Sequence, residues 1–99
     1  MRRLYRPGVL EQVKEIVDYF NEEHPALGHR FSADLNSTLV RLEHFPRSAA
    51  VVYRDARRTS LQDFRNYLVI YRYWEREDVL MVISVVHAAR DPETWKRRV

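Results

Sequence analysis

Pro46 marks a change of hydrophobic period in this chain. Before it, Val9, Val13, Ile16, Val17 and Phe20 recur at helical spacing, with Glu11, Lys14, Glu15 and Asp18 on the other side. Leu27, Phe31, Leu35, Leu39 and Leu42 then form a second stripe of the same period. Such spacing lines apolar side chains along one face of a helix. After Pro46 the pattern is that of strands. Tyr67 to Trp74 is β-branched and aromatic, and Val79 to His87 is a near-continuous apolar run. A chain with helical stripes first and strands second must lay its helices on a sheet, which makes an α+β fold.

Local signals set the expected boundaries. Arg3 to Arg6 reads as a short first strand ended by Pro7-Gly8. Asn21-Glu22-Glu23-His24-Pro25 breaks the first helix, and Pro25 suits the first turn of the second, which runs from about Ala26 to Phe45. The two helices form an antiparallel hairpin. Val51 to Tyr53 and Arg57 to Leu61 read as weaker strands, and Glu75-Arg76-Glu77-Asp78 as a polar turn. The apolar run 79–87 is expected at the centre of a sheet covered on one side. Asp91-Pro92-Glu93-Thr94-Trp95 reads as a capped helical turn with Pro92 at its first position. The whole, residues 1–99, is expected to be one domain: a short strand and an αα-hairpin packed on one face of a largely antiparallel, three- to four-stranded sheet.

Composition narrows the functional classes. There is no cysteine, which removes thiolate nucleophiles, disulfides and cysteine-based zinc sites and suits a reducing cytoplasm. The basic start has no apolar run behind it, and the longest apolar stretch falls short of the roughly 20 residues of a membrane span, so a soluble, cytoplasmic protein is expected. His24, His29, His44 and His87 lack metal-ligand spacing, and two glycines cannot build a phosphate loop, so no metal or cofactor is expected. Residues 1–50 carry seven basic and seven acidic side chains, whereas residues 51–99 carry ten and seven. Fifteen of the seventeen cations are arginine. The planar guanidinium grips phosphate and carboxylate bidentately, so the partner is expected to be anionic: nucleic acid, an acidic protein segment, or both.

Several motifs resemble the RelE/ParE superfamily of bacterial toxins. They are the helix-ending Pro46 after Leu42-Glu43-His44-Phe45, the Arg57-Arg58 strand, the Phe64-x-x-Tyr67-x-x-x-Tyr71 segment, and the apolar strand 82–86 running into His87-Ala88-Ala89-Arg90-Asp91-Pro92. The match covers essentially the whole chain. The resemblance implies the toxin of a type II toxin–antitoxin module. Its partner would be a cognate antitoxin whose disordered amphipathic segment folds onto it, giving a hetero-oligomer. Two targets are open: DNA gyrase for ParE-like members, or ribosome-bound mRNA for RelE-like endonucleases. A degenerate toxin that retains only antitoxin binding is a third reading.

The nuclease reading nominates Arg57, Arg58, Arg65, His87 and Arg90 as catalytic candidates, to stabilise charge on the scissile phosphate and handle the proton of the attacking hydroxyl. Arg90 and Trp95 are the candidates for contacting the target, Trp95 by stacking on a base. Each has a plainer role. His87 could hydrogen-bond a backbone carbonyl and fix the C-terminal turn, Arg90 could pair with Asp91 or Glu93, and Arg57 and Arg58 could be solvated edge charges. Trp95 could pack back onto the sheet. Tyr67, Tyr71 and Tyr73 are expected to stripe one sheet face, with Arg72 opposite them at the surface. Nuclease members carry an arginine where this chain has Leu68, and they favour a C-terminal tyrosine where it has Trp95. That mismatch places the chain closer to the ParE branch.

Overall fold

A computed structural model describes residues 1–89 and 94–99. The elements run β1 (Arg2–Tyr5), α1 (Val9–Glu23), α2 (Pro25–His44), β2 (Ala50–Tyr53), β3 (Ala56–Ser60), β4 (Tyr67–Trp74), β5 (Val79–His87) and a C-terminal 3₁₀ turn (Thr94–Arg98). No helix among the described residues is long and apolar enough to cross a membrane.

The α+β class and the helical hairpin hold, but the sheet has five strands rather than three or four, in the order β1-β5-β4-β3-β2. The N-terminal strand adds the extra member. It lies parallel to β5, with Arg2 opposite Val79 and Tyr5 opposite Val82, while every other pairing is antiparallel. A parallel pairing to the last long strand has no local sequence signature, because nothing near residue 2 specifies residue 79. The first helix also outlasts the expected break, since Asn21, Glu22 and Glu23 stay helical. The turn falls on His24, whose extended backbone ends α1 and whose Nδ1 accepts the Ala26 N–H at 3.1 Å to cap α2. Pro25 takes the first helical position, where its missing N–H costs nothing.

The main core lies between the hairpin and the sheet. Phe31, Leu35, Leu39 and Leu42 of α2 meet Val69, Tyr71, Leu80, Val82 and Val85, with Val13, Ile16, Val17 and Phe20 of α1 closing the layer. The second sheet face is not bare, contrary to a sheet covered on one side. Ala56, Ile70 and Ile83 form a smaller cluster there, roofed by Trp95 of the 3₁₀ turn. The turn is tied back to the start of the chain, because Arg98 Nη1 donates to the Pro7 carbonyl at 3.3 Å over Gly8. Gly8 has φ 91°, where a side chain would be strained, and an added Cβ would lie 3.2 Å from that guanidinium.

Two polar side chains on the inner faces of the helices, Asp34 buried and Gln12 half-buried, stitch the layers. Gln12 of α1 bonds with the Ser84 hydroxyl at 3.1 and 3.2 Å and accepts the Val85 N–H at 3.1 Å. The contact sits beside a bulge in β5, where Tyr71 opposes Val82 but Ile70 opposes Ser84, leaving Ile83 unopposed. Ser84, the polar residue inside the apolar run, is thereby satisfied. Asp34 of α2 accepts three backbone N–H groups of the β3–β4 loop, from Gln62 (3.3 Å), Asp63 (2.9 Å) and Phe64 (2.9 Å).

Candidate functional site

The loop that Asp34 holds carries Arg65 past the end of the sheet, next to the end of β5. Tyr67 and His87 are register partners, and their rings meet edge to face with centroids 5.0 Å apart. Phe20, Phe31 and Phe64 pack around Tyr67, with centroid separations between 5.0 and 5.6 Å. Such edge-to-face packing fixes ring positions as well as burying area. Above this cluster lies a shallow depression of about 330 Å³ lined by Tyr19, Asp63, Arg65, Asn66, Tyr67 and His87 among others.

His87 does not make, through Nδ1, the bond to a backbone carbonyl expected of it. Its Nδ1 accepts the Ala89 N–H at 3.1 Å, so that nitrogen is occupied. The difference is one of direction: the first turn after a strand has N–H groups without partners, and an imidazole two residues upstream reaches one. Arg65 Nε donates to the Gln62 carbonyl at 3.2 Å, which orients the guanidinium across its own loop. Arg65 and His87 therefore share one site.

Arg57 and Arg58 do not join them. Arg57 stands opposite Tyr71 and Arg58 opposite Ile70, so the two side chains leave β3 on opposite faces. Four residues separate Tyr71 from Tyr67 along β4, placing Arg57 about 13 Å from the level of His87. The Arg57 guanidinium is also occupied, donating to the carbonyls of Ala49 (2.7 Å) and Arg47 (3.2 Å). Beside it the Tyr71 hydroxyl donates to the Pro46 carbonyl at 2.7 Å, and burial of that phenol raises its pKa above the ordinary value. Arg58 is exposed.

Trp95 is 3% exposed, packed against Tyr53 with centroids 6.1 Å apart, so its ring is not presented for stacking. Its indole Nε1 is buried without an acceptor among the described residues. Arg72, expected at the surface, is largely covered and donates to Asp55 at 2.7 Å. The expected contacts of Arg90 with Asp91 or Glu93, and the Pro92 cap, lie outside the described residues.

Sequence reasoning missed Asp34 and Gln12. Both signals were present: each is a polar residue on the buried side of its helix, Asp34 three positions after Phe31 and Gln12 three after Val9.

Residues 4–92 match the family model described as the ParE toxin of the type II toxin–antitoxin system, parDE. The chain belongs to the ParE toxin family. It is thus a type II toxin of the RelE/ParE superfamily. Solved structures agree on the fold. The toxin in the intact E. coli RelBE toxin–antitoxin complex is 21% identical over 90% of this chain and 98% of its own, with a TM-score of 0.67. Isolated E. coli RelE is 21% identical over 99% of this chain and 98% of its own, at 0.66. A double arginine-to-alanine variant of E. coli RelE in the free state is 20% identical, with coverages of 99% and 97%, at 0.69. No curated protein matches this ParE-family chain significantly in sequence.

Proposed function

We propose that this toxin acts by poisoning DNA gyrase and not by cutting mRNA. The observation that carries the reading is the dispersal of the candidate cations among the described residues. A ribonuclease needs its phosphate-binding and proton-transfer groups to converge within hydrogen-bond reach of one phosphate. Here Arg65 and His87 share a depression, whereas Arg57 is spent on two backbone carbonyls some 13 Å away along the sheet. Arg58 faces the opposite side, and Trp95 is buried. A protein-directed poison needs none of these groups to converge.

The proposed partner in the resting state is a cognate antitoxin. An apolar groove of about 200 Å³ lined by Tyr5, Leu10, Val13, Leu35 and Leu39 runs between β1 and the helical hairpin, and Leu10 is 64% exposed beside it. It suits the apolar stripe of an amphipathic segment that folds on binding. Neutralisation would proceed through such a toxin–antitoxin hetero-oligomer, with residues 1–99 acting as one unit.

Inducible expression in a bacterial host tests the target. Growth arrest with intact messages, trapped double-strand breaks and an SOS response, retained in Arg65→Ala and His87→Ala, is the expected outcome. Cleavage of translated messages at codon-defined positions, lost in His87→Ala or Arg90→Ala, would make the protein a ribosome-dependent endonuclease instead.

A further inference from the structure

The two edges of the sheet are built differently. β1 carries Arg2 and Arg3, charges of the kind that guard an open edge against pairing. The outer edge of β2 is Ala-Val-Val-Tyr, without a charge or a proline, and Val51 is 51% exposed on it. Phe45, five residues before this strand, caps the end of α2 and is 65% exposed. A large exposed aromatic is usually mobile, but here the backbone around it is pinned. Tyr71 holds the Pro46 carbonyl, and Arg57 holds those of Arg47 and Ala49. Arg47 pairs with Glu75 and lies over the Tyr73 ring at 5.7 Å. Phe45, Pro46, Ser48 and Tyr73 together line an apolar hollow of about 310 Å³.

The charge around this edge is one-sided. Residues 41–58 contain five arginines against Glu43 and Asp55. Both carboxylates are already taken by arginines from outside the segment, Glu43 by Arg3 and Asp55 by Arg72. Arg41, Arg54 and Arg58 have no carboxylate partner among the described residues.

We propose that the free edge of β2, together with Phe45, docks an extended segment of the protein on which this toxin acts, one that alternates apolar and acidic residues. Backbone pairing with β2 would supply the strand register. The hollow beside Phe45 would take an apolar side chain, and the arginines would meet the acidic ones. A second copy of this chain is disfavoured as occupant because it would bring the same cations to the same edge. The antitoxin has the separate groove at the β1 edge of the sheet. The surface stands on these observations alone; the identity of its occupant rests on the toxin reading.

The test compares Phe45→Ala, Val51→Glu and Val51→Lys for growth arrest on induction and, separately, for co-purification with the antitoxin. Phe45→Ala should need about tenfold more inducer, the effect of losing one central anchor. Val51→Glu should abolish arrest, while Val51→Lys, whose charge complements an acidic segment, should stay far closer to wild type. All three should melt within about 3 °C of wild type, as exposed substitutions do, and should still capture the antitoxin. Full arrest by both Phe45→Ala and Val51→Glu, an equal loss in both Val51 variants, or a parallel loss of antitoxin capture would overturn the proposal. If the wild type itself fails to arrest growth, the toxin reading fails on its own. The surface is then judged by titrating the isotope-labelled full chain with a short synthetic valine–glutamate peptide. Shifts at Phe45 and Ala50–Tyr53 that a valine–lysine peptide does not cause support it; no shifts, or equal shifts with both, overturn it.

Discussion

Replacing Asp34 by alanine should be among the more damaging single changes to this molecule, although no candidate site residue touches it. Its carboxylate is 6% exposed and collects three N–H groups from consecutive residues of the β3–β4 loop. Hydrogen bonds to a charged group contribute about 1.5–3 kcal/mol each, while orphaned donors that water can reach recover part of that. Asp63 is exposed and Phe64 only half-buried, so the lower figure applies to their two 2.9 Å bonds, and little is added for the 3.3 Å bond from exposed Gln62. The expected loss is about 3 kcal/mol. With a urea m-value of about 1.5 kcal/mol/M, the unfolding midpoint should fall by about 2 M. Asp34→Asn should lose about half as much or less, because its amide oxygen can keep the two 2.9 Å bonds while its NH₂ faces the Gln62 N–H and the charge is lost. Urea denaturation followed by circular dichroism gives the midpoint, and hydrogen exchange at residues 62–64 localises the effect. A loss below about 1 kcal/mol with unchanged exchange at those amides would refute the claim that this carboxylate organises the loop.

Gln12→Ala should cost about 2 kcal/mol, since it strands the buried Ser84 hydroxyl and the Val85 N–H; a thermal melt checks this, and Ser84→Ala added to it should recover part of the loss. Tyr71 has its pKa raised chiefly by burial, so between the ordinary tyrosine value of 10.0 and its own higher value the unfolded chain releases a proton that the folded one keeps. Stability should therefore be unaffected by this group below pH 10 and fall as pH rises above it, and Tyr71→Phe should flatten that fall in a stability-versus-pH series. Trp95→Ala should cost about 3–4 kcal/mol through the cavity left over Ala56, Ile70 and Ile83, with denaturant titration as the measure.

What the sequence disclosed followed periodicity. The two long strands, 67–74 and 79–87, and the second helix were legible because a stripe or a β-branched run spans each whole element. The partnership of β1 with β5 was not, because it joins residues from opposite ends of the chain and no local pattern encodes it. The second core cluster stayed hidden for a related reason. A strand such as β5, apolar at nearly every position, does not announce which face is covered by a distant tryptophan. For the site, residue types named Arg65 and His87 as candidates but did not place them together; the fold brings both to one depression because the β3–β4 loop lies beside the end of β5. Residue types could not reveal that Arg57 is consumed by backbone carbonyls, because the demand arises from the α2–β2 connection, where Ala49 and Arg47 offer acceptors only once folded.

The pairing of the first strand with the last bears on the order in which this protein assembles as it is made. The second residue finds its partner in the seventy-ninth, and Arg6 donates to the carbonyl of Val82. While the chain is still being made, the hairpin can form but the sheet edge that receives β1 does not yet exist. At about 5–20 residues per second, β5 is made roughly 4–15 s after β1, and closure of that edge waits for it. A nascent chain of this topology cannot complete its sheet before β5 has been made, so the hairpin is exposed to partners before the sheet edge at β1 is closed.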